Sequence, residues 1–214
     1  NALLDDLIDR YPQLLRIRNN ILSAFELLHE SYKNGGKLVV CGNGGSASDA
    51  DHIVGELMKS FSIKRQIPAE IKKNLFSEFG NSGISISKKL EGALPAISLN
   101  CHNALISAYS NDVDADMIFA QQVLGYGSRS DILWGISTSG NAKNVINAMM
   151  VAKAMGIKTI GLTGRDGGYF NRLCDVVINV GGNITAQIQE LHLPVYHTLC
   201  QMLEVSLFKL PNQN

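Results

Sequence analysis

Sixteen consecutive residues, Cys41-Gly42-Asn43-Gly44-Gly45-Ser46-Ala47-Ser48-Asp49-Ala50-Asp51-His52-Ile53-Val54-Gly55-Glu56, bring together the means for two kinds of chemistry. The glycines and Ser46 let backbone N–H groups crowd an anion where a helix begins, and there the macrodipole and the unsatisfied donors favour a phosphate. Farther along, His52 and Glu56 stand four apart, so they share a helix face and can hold a metal or move protons. Such a pair is ordinarily a surface contact worth a few tenths of a kcal/mol. The glycine-rich turn ahead of it sets this pair beside an anion loop, which favours a site.

A second loop of the same kind is Ile136-Ser137-Thr138-Ser139-Gly140-Asn141-Ala142-Lys143-Asn144, which follows the apolar run Ile132-Leu133-Trp134-Gly135. Three hydroxyls, a glycine and a helix start offer side-chain and backbone donors to a dianion. A Ser/Thr-Gly cluster by itself is more often a cap and a turn, but its place after a strand favours a ligand. Near the end of the chain, Gln189 and His197 stand eight apart and point about 80° away from each other on a helix, whereas Glu190 and His197 nearly align. Helical arithmetic therefore nominates Glu190. His192 is expected to be hydrogen-bonded packing, His29 and His102 fall in no motif, and Trp134, Met149 and Met150 read as core.

Positioning these loops requires strands. Apolar runs at Lys37–Cys41, Pro95–Leu99, Asp131–Ser137, Lys158–Thr163 and Asp175–Val180 alternate with helical or loop material, which predicts βαβ crossovers and a parallel sheet covered on both faces. The expected class is α/β, a three-layer α/β/α sandwich with a five-stranded parallel sheet in flavodoxin-like order, and both loops fall at carboxyl ends of strands, where such folds bind ligands. A helix is expected over Leu14–Tyr32, stopped by Asn34-Gly35-Gly36, and a long one over Thr185–Leu210. Between them, 62–92 departs from the rhythm: a lysine-rich stretch with Pro68, Gly80 and Gly83, far longer than the usual connection of about 2–6 residues. It is expected to be a mobile loop or a short helical excursion on the surface.

With 214 residues and 45% hydrophobic content, residues 1–214 are expected to form one globular domain. Nineteen basic side chains against nineteen acidic ones remove the electrostatic argument for nonspecific nucleic-acid binding. No apolar stretch approaches a membrane span and no secretory pattern opens the sequence, so the default expectation is cytoplasmic, with no membrane partner. Cys41, Cys101, Cys174 and Cys200 form no close pairs, which argues against a zinc knuckle or a redox pair and for buried free thiols. Leu3, Leu4, Leu7, Ile8, Leu14 and Leu15 on the N-terminal helices (1–34) provide more apolar surface than one sheet needs, hence an expectation of self-association.

The stretch CGNGGSxxDAxHxxxEL from Cys41 to Leu57, the ISTSGN loop from Ile136, Asn111-Asp112, and Gln189-Glu190-Leu191-His192 with His197 beyond it together resemble the sugar isomerase (SIS) fold, and within it the phosphoheptose isomerases. The resemblance runs from the N-terminal helices to about Phe208, interrupted by the 62–92 insertion. It implies a homotetramer that interconverts sedoheptulose 7-phosphate and D-glycero-D-manno-heptose 7-phosphate through an enediol. It also implies that Ser46, Ser137, Thr138 and Ser139 hold the phosphate, with Asn43, Gly44, Gly45, Asn141 and Gln189 completing the substrate site and Asp112 on sugar hydroxyls. His52, Glu56, Gln189 and His197 match positions that bind zinc, one ion per subunit, and Glu56 and His197 match the acid–base pair. Two residues depart from the pattern: Ala142 stands where another phosphate-binding serine is usual, and Ala186 where an aspartate commonly precedes the glutamine. Other members of the fold are non-catalytic scaffolds, among them DnaA-associating proteins, or isomerases of other sugar phosphates. A scaffold needs neither Glu56 nor His197, and this chain keeps both.

Overall fold

A computed structural model describes residues 2–208. Its five strands, β1 (Leu38–Gly42), β2 (Ala96–Ser98), β3 (Ile132–Ile136), β4 (Lys158–Thr163) and β5 (Val176–Asn179), match the five apolar runs to within a residue or two at each end. All pair in parallel, in the order β2-β1-β3-β4-β5. The order reverses between β1 and β3, so the crevice past their carboxyl ends is the switch point at which open α/β sheets bind ligands.

Period-two alternation divides the strand residues between two cores. Leu38, Val40, Trp134, Ile160 and Leu162 face one layer, made by α1 (Ala2–Arg10), α2 (Arg18–Lys33), α3 (Gly45–Met58) and a C-terminal helix numbered α9 below (Thr185–Phe208). Val39, Cys41 and Leu133 face the other. That second layer is made by α6 (Ile118–Tyr126), α7 (Lys143–Ala154) and α8 (Phe170–Leu173), with α5 (Asn103–Tyr109) preceding α6 and α4 (Ala69–Ser87) lying in the insertion. The expected first long helix is divided, with a 3-10 turn over Pro12–Ile17 ahead of α2. The last expected residues of α9, 209 and 210, lie outside the described residues.

Several side chains lie elsewhere than their types suggested. Leu4, Leu7 and Leu14 are buried in the protomer's own core, because α1 and the 3-10 turn fold back beside α9, and only Leu15 of that group is strongly exposed. Met149 is buried but Met150, one step around α7, is open to solvent. Cys41 and Cys200 are buried thiols, whereas Cys101 is exposed. The insertion is a helical excursion: α4 runs 19 residues with a break at Gly80, whose φ of 54° and ψ of −128° lie outside helical space and favour glycine. No helix among the described residues is long and apolar enough to cross a membrane.

His192 is structural, as expected, and the Thr163 backbone is the polar group that acts on its ring. It is fully buried on α9, and neither ring nitrogen makes a short, well-aligned hydrogen bond. Burial pushes its pKa down to about 4, an effect only partly offset by the nearby Thr163 backbone. The folded chain therefore takes up this proton less readily than the unfolded one, and the stability contributed by the neutral ring is complete above pH 6.5 and lost as pH falls toward 4. His192→Leu is expected to flatten urea-measured stability across this window by about 1 kcal/mol per pH unit. An unchanged pH slope in the variant counts against this assignment.

Candidate active site

Two loops meet at the switch point. Gly44, with φ of 56° and ψ of −124°, turns the chain out of β1 in a conformation that an L side chain resists, and α3 starts at the next residue. At Gly45 a Cβ would stand 2.5 Å from the Gln189 amide nitrogen, so the bare backbone lets Gln189 lie over the loop. A reciprocal amide pair locks the first loop to the second: Asn43 Nδ2 donates to Asn144 Oδ1 at 2.8 Å, and Asn144 Nδ2 donates to Asn43 Oδ1 at 2.9 Å. Between them opens a cleft of about 310 Å³, lined by Asn43, Gly44, Gly45, Ser46, Ser137, Thr138 and Ser139, with Ala142, Thr185 and Gln189 completing its wall. Backbone donors at the start of α3 and four hydroxyls thus converge on one space, an arrangement suited to a phosphate dianion.

The second constellation lies two turns down α3. His52 Nε2 stands 3.1 Å from Glu56 Oε1 and 3.4 Å from His197 Nε2. One ligand atom from each of the three residues lies within 4.8 Å of the others. Two nitrogens bound to one tetrahedral zinc at about 2.0–2.1 Å stand about 3.4 Å apart, so the spacing and the His2Glu donor set both fit such an ion. The Tyr196 hydroxyl lies 3.0 Å from His52 Nδ1 and donates to Asp49 Oδ1 at 3.3 Å. With its proton directed at Asp49, Tyr196 accepts from Nδ1–H and leaves the Nε2 lone pair of His52 facing the cluster, the outer support usual for a ligating histidine. Burial, then the neighbouring His52, holds His197 below the ordinary histidine value against the pull of Glu56, which keeps this imidazole neutral near pH 7. The second carboxylate oxygen of Glu56 accepts from Lys59 Nζ at 3.2 Å.

Comparison with known proteins identifies the family. The SIS domain model matches residues 13–93 and 74–164, two stretches that overlap inside the insertion. Phosphoheptose isomerases of Aliarcobacter butzleri and Crocosphaera subtropica are 41% and 39% identical to the chain; the matches cover 86% and 85% of it and 84% and 80% of those proteins. The chain belongs to the phosphoheptose isomerase family. Solved phosphoheptose isomerases from Neisseria gonorrhoeae and Francisella tularensis superpose with TM-scores of 0.73 and 0.75 at 31% and 29% identity, over 95% of each chain in both cases.

Within this family frame the structure brings together Asn43, Gly44, Gly45, Ser46, Ser137, Thr138, Ser139 and Gln189 at the cleft, and His52, Glu56 and His197 at the cluster. Gln189 thus lies with the phosphate loops, against Gly45, a residue seven positions and about 10 Å of helix rise before His52. Glu190, the choice of ideal helical arithmetic, is exposed. Pro194 sits inside α9 between Gln189 and His197 and removes one backbone N–H from its ladder. Asn141 does not line the cleft. Its side chain donates to Ser139 O at 3.0 Å and accepts from Tyr169 N at 3.0 Å, so it braces the loop from behind. Asp112 lies exposed in a π-helical turn, Ser110–Asp114, where it accepts from Asn111. Sequence reasoning missed Asn144, Thr185 and Tyr196. The local signals were the place of Asn144 at the end of the second loop and the adjacency of Tyr196 to His197.

Ala142 both lines the cleft and is the N-cap of α7, where it provides no side-chain cap. Ala142→Ser restores a hydroxyl at both places. It is expected to tighten inorganic phosphate binding about tenfold or more, since a donor to a charged acceptor contributes about 1.5–3 kcal/mol, and to stabilise the fold by about 1 kcal/mol. Calorimetric titration and thermal melts check both, and a serine that leaves phosphate affinity unchanged removes this wall from the anion site.

Proposed function

We infer that the protein is an aldose–ketose isomerase that interconverts sedoheptulose 7-phosphate and D-glycero-D-manno-heptose 7-phosphate. The observation that carries this reading is the spacing of the two constellations along one helix. From Gly45 to His52 is seven residues, about 10 Å, and an extended heptulose places its phosphorus about 9 Å from C2, across seven bonds of roughly 1.5 Å that each advance about 1.3 Å along the zigzag. With the phosphate among Ser46, Ser137, Thr138 and Ser139, C1 and C2 reach Glu56 and His197.

In this reading the phosphate loops fix the substrate so that the reacting carbons meet a positioned base, which removes much of the entropic part of the barrier. Glu56 takes the C1 proton of the ketose and the electron pair moves to form the C1–C2 double bond of the enediol. His197, neutral, serves the oxygens: it donates to the carbonyl oxygen on C2 and accepts the proton of the C1 hydroxyl. Glu56 then returns a proton to C2. Zinc held by His52, Glu56 and His197 supplies polarisation of the carbonyl when bound. Gln189 completes the substrate site and, in the resemblance, the metal set. Asp112 binds sugar hydroxyls once it is brought to a cleft, its own or a neighbouring subunit's.

Glu56→Gln is expected to keep the fold and phosphate binding and to lower turnover of sedoheptulose 7-phosphate by about two to four orders of magnitude. Wild-type turnover in that variant removes Glu56 from the mechanism.

A homotetramer belongs to the same reading. The exposed apolar side chains Leu15 and, on the insertion helix, Ile71, Phe76, Phe79 and Ile86 favour association with further copies of the chain. Multi-angle light scattering at micromolar concentration is expected to give four chains, and a monomer refutes this.

A further inference from the structure

We propose that the buried ion pair Arg65–Glu204 is a positioning device for the acid–base cluster, fixing the backbone of Glu56 relative to the helix that carries His197; the proposal rests on the isomerase reading above. Composition placed Arg65 among the solvated lysines of the insertion. Instead its side chain and that of Glu204 are both 0% exposed, with Arg65 Nε 2.7 Å from Glu204 Oε1. A charge removed from water in this way persists only when it is hydrogen-bonded, and each guanidinium nitrogen of Arg65 and each carboxylate oxygen of Glu204 has a partner.

The rest of the guanidinium fork donates to two carbonyls in the last turn of α3, Nη1 to Leu57 O at 2.6 Å and Nη2 to Glu56 O at 2.9 Å. These are acceptors that a helix end leaves unsatisfied, and a cation there also complements the dipole. Glu204 for its part accepts from three successive backbone N–H groups, Phe61 and Ser62 at 2.7 Å each and Ile63 at 3.1 Å, and from the Ser62 hydroxyl at 2.8 Å. Burial pushes the Glu204 carboxyl up, but these bonds and Arg65 outweigh it and hold the group below its ordinary value.

The two ends of this network lie at the cluster. Arg65 ends on the carbonyl of Glu56 itself. Glu204 stands on α9 seven residues after His197, two helical turns along, and the segment it draws in includes Phe61, whose ring centroid lies 5.3 Å from that of His197. Stability alone does not require an ion pair here, because a well-packed apolar pair of similar volume is commonly neutral or better. What the pair adds is direction: a planar fork aimed at two named carbonyls. A displacement of about 1 Å in a catalytic group costs on the order of a hundredfold in rate.

The test uses the full-length protein and two variants. The double variant R65M/E204L replaces the pair by apolar volume; R65K keeps the charge and loses the fork. In R65M/E204L with native near-ultraviolet circular dichroism, kcat is expected to fall about 10- to 100-fold and zinc affinity, by chelator competition, by a similar factor, the range seen when the supports of metal ligands are removed. KM and the Kd for inorganic phosphate stay within about twofold, because the phosphate cleft lies at the other end of α3. R65K is expected to lose less, and it carries the test should the double variant fail to fold. A folded variant with wild-type kcat and zinc affinity overturns the proposal, and so does an equal loss in phosphate binding, which indicates general loosening. Should the wild-type protein turn over no ketose phosphate, the isomerase reading fails on its own, and the zinc and phosphate affinities still decide whether the pair positions the cluster.

Discussion

The side-by-side, parallel packing of α3 and α9 is the constraint on which the site depends. Gly45 lies against Gln189, Asp49 and His52 against Tyr196, and the carbonyls of Glu56 and Leu57 are tied through Arg65 to Glu204. Both numbers rise together along the pair, so the helices share a direction and their starts both fall at the carboxyl edge of the sheet. One end of the seam then presents amides and hydroxyls, and the other two imidazoles and a carboxylate. The two constellations share one helix interface, and their separation is set by helix rise.

The sheet supports this seam from below. Because β1 and β3 are neighbours at the point where strand order reverses, the loops that leave them open toward each other, and the Asn43–Asn144 amide pair closes the gap. Ser46 and Ser137 are almost fully buried, so the hydroxyls aimed into the cleft are held by packing before any ligand arrives. Such preorganisation lets binding energy act on the reacting carbons and not on ordering the protein.

Much of this was legible in the residues. The five strands could be read from apolar runs because a parallel strand buried on both faces needs no polar alternation, and the glycine and hydroxyl loops could be read because their chemistry is local. What escaped depends on long-range placement. Asn144 meets a residue 101 positions away, and Arg65 meets one 139 positions away, in a segment whose composition suggested solvent. The choice between Gln189 and Glu190 turned on what the start of α9 packs against: Gln189 meets Gly45, and Glu190 faces solvent. Leu4, Leu7 and Leu14 were read as surface for assembly because an apolar helix looks the same whether its partner is another subunit or its own chain.

The insertion leaves and rejoins the body at nearly one point. Gly92 N donates to Arg65 O at 3.2 Å, and Ser60 N to Glu91 Oε2 at 2.9 Å, so the segment is a stalk whose two feet touch. The chain closes there whatever is threaded between the feet, and each doubling of that length costs only about 0.6 kcal/mol in closure entropy. For evolution this is a splice point: a helix as long as α4 can be gained, lost or exchanged without moving β2 or the seam between α3 and α9. Lineages that diverge in this segment can therefore alter their outer surface while inheriting the same chemistry.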